Sequence, residues 1–252
     1  MRTPFAQKLR DSIPLLGTLI SLPAPEISEM LSLTGLDWLF IDMEHSTLSF
    51  ADVQRHLQSI RGDCNGLVRV AENNAVLIQQ ALDAGADGVI IPAVNSASEA
   101  RQAVEWANYP PLGTRSVGIG RAHQYGLGFA DYVANANNTT AVIIQIEHMQ
   151  AVENLDEILS VRGIDGVFIG PYDLSGSMNR LGEVGHPAVQ EAILFVKTSC
   201  IQRTLPVGIF TQQPDTIAAE IASGTRFITV GTDASFIWQS GKAVVDRFRT
   251  GV

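Results

Sequence analysis

The chain has 252 residues, with 26 acidic against 17 basic side chains and a net charge of −9 at neutral pH. No basic field exists to draw in a nucleic acid or an anionic membrane surface, so neither is expected as a partner. With 46% hydrophobic and 17% charged residues the composition is that of a globular protein, and a chain this long buries about 70–75% of its unfolded surface without disulfide staples.

In chain order, short β-branched apolar runs alternate with stretches of helical period. A strand over 15–21 leads to a helix over 25–33, where Ile27, Met30 and Leu31 recur at i, i+3 and i+4. Strands follow over 38–44 and 67–71. A helix over 74–84 places Leu77, Ile78 and Leu82 on one face, and Gly85 stands where a helix C-terminus favours glycine. A strand over 88–93 is followed by a helix over 96–107, with Ser96 and Ser98 as cap candidates and Glu99 in the first turn. The stretch 109–140, with Pro110-Pro111, Gly113, Gly126 and Gly128, reads as one long irregular loop. Strands over 141–147 and 166–170, a helix over 187–202, a strand over 206–211, a helix over 214–222, a strand over 226–230 and a helix over 234–248 complete the chain.

Near-continuous apolar strands alternating with helices imply parallel strands buried on both faces. Eight such units in about 250 residues fit an α/β fold, a single (β/α)8 TIM barrel over residues 1–252. The competing doubly wound open sheet would carry a G-x-G-x-x-G turn after a strand. Gly118-Ile119-Gly120 occurs only inside the irregular stretch, so no nucleotide cofactor is expected. Cys64 and Cys200 are too few and too distant for a disulfide framework or zinc cluster. The polar start, residues 1–10, lacks the apolar core of a signal peptide, and no run reaches the roughly 18 apolar residues of a membrane span. A cytoplasmic protein is the expectation.

In a barrel of this type the working residues sit at the C-terminal ends of strands. The second strand ends Asp42-Met43-Glu44-His45, the third carries Arg69, the fifth ends Gln145-Ile146-Glu147-His148, and the sixth ends Gly170-Pro171-Tyr172-Asp173. Alternation points Asp42 with Glu44 one way, and likewise Gln145 with Glu147. Charged groups at the ends of buried strands need partners. One reading is an ion-pair ring closing the barrel mouth. Glu147 and Asp173 could hold a hard divalent cation and leave the remaining positions to water or substrate, or could be salt-bridged to Arg69. His45, with carboxylates beside it at Asp42 and Glu44, is either a general base or a capping histidine in a loop. His56 is read as a mid-helix surface residue, and His123, His148 and His186 as structural or solvated.

Lys8, Lys197 and Lys242 are the only lysines, and none ends a strand. A Schiff-base lysine and pyridoxal phosphate are therefore excluded, since imine chemistry needs a desolvated lysine inside the mouth. No G-x-S-x-G elbow is present and neither cysteine ends a strand, so both cysteines read as packing residues.

The motifs Leu16-Gly17-Thr18, Phe40-Ile41-Asp42-Met43-Glu44-His45, Val68-Arg69, Leu82-Asp83-Ala84-Gly85, Tyr109-Pro110-Pro111-Leu112-Gly113-Thr114-Arg115-Ser116-Val117-Gly118, Gln145-Ile146-Glu147, Gly166-Val167-Phe168-Ile169-Gly170-Pro171-Tyr172-Asp173-Leu174-Ser175 and Val230-Gly231-Thr232-Asp233 occur in order over residues 16–233. Together they resemble the HpcH/HpaI aldolase family, the metal-dependent class II pyruvate aldolases. The resemblance implies a divalent metal (Mg²⁺, Mn²⁺ or Co²⁺) on Glu147 and Asp173. It also implies catalytic roles for His45 as base, with Asp42 beside it and Asp83 raising its basicity, and for Arg69 as stabiliser of an enolate. Substrate would be contacted by Gln145, Gly170, Pro171 and the backbone at Tyr172. The family commonly has Ala where this chain has Tyr172, which brings a bulky ring beside the site. The implied assembly is a homohexamer with exchanged C-terminal helices. Phe236, Ile237, Trp238, Val244 and Val245 of the last helix suit that exchange, and equally suit packing on the chain's own barrel.

The implied reaction is reversible cleavage of a 4-hydroxy-2-oxo acid to pyruvate, or a related 2-oxo acid, and an aldehyde. The metal acts as Lewis acid, His45 takes the 4-hydroxyl proton directly or through a metal-bound water, and Arg69 steadies the resulting enolate. Two alternatives stay open. A CoA-thioester lyase of the citramalyl or malyl type would need cations for the CoA phosphates, with only Arg115, Arg121 and Arg180 near the mouth. A non-catalytic 2-oxo-acid-binding protein would need no base.

Overall fold

The computed structural model describes residues 2–11 and 13–251. Eight parallel strands close on themselves in the order β1 to β8: β1 (Leu15–Ile20), β2 (Trp38–Asp42), β3 (Asn65–Arg69), β4 (Gly88–Ile91), β5 (Ala141–Ile146), β6 (Gly166–Ile169), β7 (Val207–Thr211) and β8 (Phe227–Thr232). β1 pairs with both β2 and β8, which closes the (β/α)8 barrel that the strand–helix alternation predicts. No helix among the described residues is long and apolar enough to cross a membrane.

The helices are α1 (Phe5–Arg10), α2 (Pro25–Ser32), α3 (Phe50–Ser59), α4 (Ala75–Asp83), α5 (Ala97–Ala107), α6 (Phe129–Thr139), α7 (Met149–Glu153), α8 (Leu155–Leu159), α9 (Pro171–Ser177), α10 (Pro187–Gln202), α11 (Ile217–Ala222) and α12 (Asp233–Thr250). Five of them, α1, α6, α7, α8 and α9, lie where the sequence predicts no helix, and α3 is implied there only by the mid-helix reading of His56. The stretch 109–140 is not one loop: it holds a 3₁₀ turn, Arg121–Gly126, and then α6. α3 opens with Ser49, whose side chain accepts from the Asp52 N–H while the Asp52 carboxylate accepts from the Ser49 N–H. That is a capping box, and its Ser-x-x-Asp spacing was available in the sequence.

Strand alternation divides the core in two. Leu39, Ile41, Val68, Val89, Ile91, Val142, Ile144 and Val167 face outward and pack under the helices. Trp38, Phe40, Leu67, Ile90, Ile143, Phe168 and Phe227 face inward and fill the barrel. Phe5 of α1 joins this inner set, its ring centroid 5.5 Å from Trp38 and 6.2 Å from Phe227, so α1 plugs the N-terminal end. Gly17 is required beside this plug, because a Cβ there would stand 2.5 Å from Trp38 Nε1. The interior is apolar up to Phe40 and Phe168, whose ring centroids stand 5.3 Å apart. Beyond them Asp42 follows on β2 and Gly170 just past β6, while Arg69 and Gln145 bring polar side chains inward from β3 and β5.

His56 is a second correction. It lies on α3 but is buried, its Nδ1 2.8 Å from Ser28 Oγ on α2, so the pair joins two neighbouring helices instead of facing water. Burial pushes its pKa down, against an opposing pull from Asp233. His123 is also buried, stacked on Phe129 and 3.2 Å from the Tyr109 hydroxyl. His148 and His186 cap α7 and α10. The start of α12 is anchored by the Asp233 carboxylate, which accepts from Ser21 and from the Leu22 N–H. Farther along, Ile237, Trp238, Val244, Val245 and Phe248 are exposed, Phe248 at 88%, so they do not pack on their own barrel.

Candidate active site

Parallel register builds the site. Asp42 and Arg69 are partners across β2 and β3, so their inward side chains meet one layer above Phe40. Asp42 Oδ1 accepts from Arg69 Nε at 2.9 Å and Oδ2 from Nη2 at 2.8 Å, a bidentate pair that fixes the plane of the guanidinium. Arg69 is 7% exposed, and its Cζ stands 5.1 Å above the Phe40 ring. Burial works against its charge, yet Asp42, Glu44 and Glu147 outweigh it and push its pKa up. Asp42 Oδ1 also accepts from the backbone N–H of Glu44 at 3.0 Å, turning the chain at the strand end.

The third Arg69 nitrogen, Nη1, lies 3.0 Å from Glu44 Oε2, close enough for an ion pair but not aligned for a hydrogen bond. Burial pushes Glu44 up to about 7; Arg69 opposes this and Glu147 adds to it. The mouth therefore does hold part of an ion-pair ring, but Arg69 is paired with Asp42 and Glu44, not with Glu147 or Asp173.

Glu147 stands just beyond β5. Its Oε1 accepts from the Ala93 N–H at 2.7 Å, its Oε2 accepts from Gln145 Nε2, and it makes no ion pair among the described residues. Gly170 lets it approach β6: a Cβ at that position would meet Glu147 Cβ at 3.0 Å and Oε2 at 3.2 Å. Asp173 lies in the first turn of α9 and likewise makes no ion pair among the described residues. Gln145 Oε1 is buried with no hydrogen-bond partner. Two carboxylates free of ion pairs, and the orphaned oxygen of Gln145, are oxygen donors of the kind a hard divalent cation takes. No three His, Cys, Asp or Glu side chains converge among the described residues, so such a cation would keep positions open.

His45, Arg69, Gln145, Gly170, Pro171, Tyr172 and Asp173 border one cavity of about 140 Å³ at the C-terminal ends of the strands, walled by Leu19, Phe40, Phe168 and Phe210. Larger hollows of about 540 and 610 Å³ open near Asp87 and Asp165 at the opposite ends of the strands, and one of about 410 Å³ adjoins the cavity along Pro171, Tyr172 and Phe210. None of these three holds His45, Arg69, Gln145 or Asp173, so chemistry and not size marks the site. His45 is not a helix cap; α3 is capped by Ser49. Its side chain is 62% exposed, and the nearest charged group is Glu44, 3.8 Å from Nε2.

Asp83 is the one predicted residue placed elsewhere: it ends α4 and receives Arg115 Nη2 on Oδ1 at 2.6 Å. Within the chain it has no contact with His45. The lysines lie outside the cavity, on Asp63, Glu220 and Asp246. Cys64 and Cys200 are free and buried, and burial pushes both thiols up to about 12. The sequence places Glu44 with Asp42 by alternation along β2 but gives it no role of its own, and the aromatic walls carry no local signal.

The family profile described as HpcH/HpaI aldolase/citrate lyase matches residues 17–239. The chain is 38% identical over 240 residues to the 2-keto-3-deoxy-L-rhamnonate aldolase of Salmonella gallinarum, covering 92% of this chain and 88% of that one. It is 34% identical over 250 residues to the hydroxypyruvate/pyruvate aldolase of Roseobacter denitrificans, covering 98% and 97%. Among solved structures, an HpcH/HpaI aldolase/citrate lyase family protein from Burkholderia cenocepacia J2315 superposes with a TM-score of 0.93 at 33% identity, covering 97% and 98%. The chain belongs to the HpcH/HpaI aldolase/citrate lyase family, and it is an aldolase, a carbon–carbon lyase.

Proposed function

We propose that the protein reversibly cleaves 4-hydroxy-2-oxo acids to pyruvate, or a related 2-oxo acid, and an aldehyde, with a divalent cation held at Glu147 and Asp173. The observation that carries this reading is the convergence of His45, Arg69, Gln145 and Asp173 on one small cavity over an aromatic floor. When bound, the cation supplies Lewis acidity toward the oxygens of the 2-oxo acid.

The chain's own residues do the rest. Gln145 and the backbone of Gly170, Pro171 and Tyr172 orient the 2-oxo acid end. His45 accepts the 4-hydroxyl proton; the O–H electron pair forms the aldehyde carbonyl, the C3–C4 bond breaks, and its electrons pass into the pyruvate enolate. Arg69, fixed in plane by Asp42, faces the charge that develops on the 2-oxo oxygen. Leu19, Phe40, Phe168 and Phe210 keep bulk water from the enolate before a proton returns to C3. Tyr172, 44% exposed at the rim, sets the width open to the aldehyde.

Release of pyruvate from a simple 4-hydroxy-2-oxo acid, with Mg²⁺, Mn²⁺ or Co²⁺ present, tests this. So does exchange of the pyruvate methyl protons with deuterated water. Absence of both would defeat the reading. A CoA-thioester lyase is less well supported, because Arg115 is engaged by Asp83, Arg121 by backbone carbonyls and Arg180 by Glu183.

The same reading carries a cytoplasmic homohexamer with exchanged C-terminal helices. The exposed apolar face of α12 supports it, and the solution mass by light scattering checks it. A monomer at micromolar concentration would end it.

A further inference from the structure

We propose that Ala93 is a positioning residue for the cation site: held in the left-handed backbone conformation, it presents its N–H to one oxygen of Glu147 and leaves the other toward the cavity. The inference rests on the reading of Glu147 as a cation ligand and deepens it. Five non-glycine residues among those described have positive φ, and Ala93, at 53°, is the one whose own N–H meets a candidate ligand. Residues with a side chain are disfavoured there; they persist where the surrounding structure holds them, and they cluster at functional sites. Ala93 is exposed, so packing of its methyl group does not account for the conformation.

The loop after β4 supplies that hold. Ile91 ends the strand fully buried, and the ring of Pro92 limits φ on that side. On the far side Val94 is buried and Asn95 is tied three ways. Its N–H donates to Glu99 Oε2 at 2.7 Å, its Nδ2 to the Ala93 carbonyl at 3.2 Å, and its own carbonyl accepts from Asn154 Nδ2 at 2.8 Å. With both flanks fixed, a return of Ala93 to negative φ would be absorbed by rotating the peptide that carries its N–H. That N–H donates to Glu147 Oε1 at 2.7 Å. Glu147 Oε2 accepts from Gln145 Nε2 and lies 3.2 Å from where a Cβ on Gly170 would stand. Gln145 and Gly170 both border the cavity. The backbone of one strained residue thus fixes which oxygen of a buried carboxylate is tied to the protein and which is left beside the cavity.

The test is calorimetric titration of the full chain with Mn²⁺, the wild type first. If the wild type binds no divalent cation, the reading of Glu147 as a ligand has itself failed; with binding established, every later result concerns Ala93. Ala93→Val puts a β-branched residue where φ is positive, so the loop should leave the left-handed region. Mn²⁺ affinity should then fall about 10–100-fold, the range for losing the partner that orients a ligating group. Aldol activity lost at low Mn²⁺ should return as Mn²⁺ is raised. Ala93→Gly and Ala93→Asn should both stay within about threefold of wild type, because glycine and asparagine adopt the left-handed conformation readily. Asparagine also adds bulk, so it separates conformation from crowding. Equal losses in Ala93→Val and Ala93→Asn, a loss in Ala93→Gly as large as in Ala93→Val, or wild-type affinity in Ala93→Val would overturn the assignment. Circular dichroism melts establish that each variant is folded. If Ala93→Val is not, Asn154→Ala decides: it releases the Asn95 carbonyl from outside the cavity, and Mn²⁺ affinity should fall by at least about threefold. An unchanged affinity in that variant sinks the proposal.

Discussion

Arg69 shows how one side chain is specified by others. Its guanidinium is buried, and it is affordable there because two carboxylates and an aromatic face surround it. Lysine could keep the charge but not the bidentate fork on Asp42. Arg69→Lys is therefore expected to lower kcat/KM for aldol cleavage by at least about 10²-fold, the scale of losing a preorganised donor to a developing oxyanion. Near-full activity in steady-state assays would reduce the residue to a simple charge. His45 is tested by removal. His45→Ala should lower kcat by about 10²–10⁴-fold, with little change in the cation affinity read by calorimetry. A variant with wild-type turnover and pH profile would mean that the proton goes elsewhere.

Between α2 and α3, the Ser28–His56 pair makes stability depend on pH. Burial lowers the folded-state pKa of His56 below its unfolded value near 6.5. As pH falls through that value, the unfolded chain takes up a proton that the folded chain still refuses. The stability contributed by the neutral, buried ring is present above about 6.5 and is lost below it. His56→Ala leaves a cavity and an unpaired Ser28 hydroxyl, so the variant should be less stable at pH 7.5. The gap in urea-denaturation free energy between the two proteins should narrow as pH falls toward 5. A gap independent of pH would show that the ring takes up its proton without unfolding, contrary to this reading.

The whole barrel separates two jobs along its axis. Aromatic side chains and the α1 plug fill the N-terminal half, while the C-terminal end carries the charges and the cavity. Chemistry at that end should depend on a cation and on no lysine. Exhaustive EDTA treatment is expected to abolish aldol activity, and Mg²⁺, Mn²⁺ or Co²⁺ to restore it. Borohydride with pyruvate should leave the intact mass unchanged. Glu147→Gln and Asp173→Asn should each weaken cation binding strongly, since a neutral amide oxygen is a poor ligand for a hard divalent ion. Full activity in the stripped protein, or a pyruvate adduct on Lys8, Lys197 or Lys242, would remove the metal-dependent reading.

Much of this was legible before folding was considered. The eight apolar runs, their alternation with helices and the polar residues ending each run are local patterns, set by burial on two faces and by side-chain alternation. They gave the barrel and most of the candidate site: His45, Arg69, Gln145, Tyr172 and Asp173 border the same cavity, with Asp42 and Glu147 behind them. α1 escaped because six residues carry too little periodicity, and its plugging role depends on Phe5 meeting Trp38 and Phe227 across the barrel. His56 escaped because a mid-helix histidine has no local mark of burial; Ser28 is 28 residues away and is brought close only when α2 packs on α3. Which carboxylate Arg69 takes, and that Asp83 goes to Arg115, were likewise beyond the reach of local pattern. Strand register and helix packing decide them, because ion pairs are chosen by distance in space, and residues far apart in the chain acquire that distance only when the barrel closes.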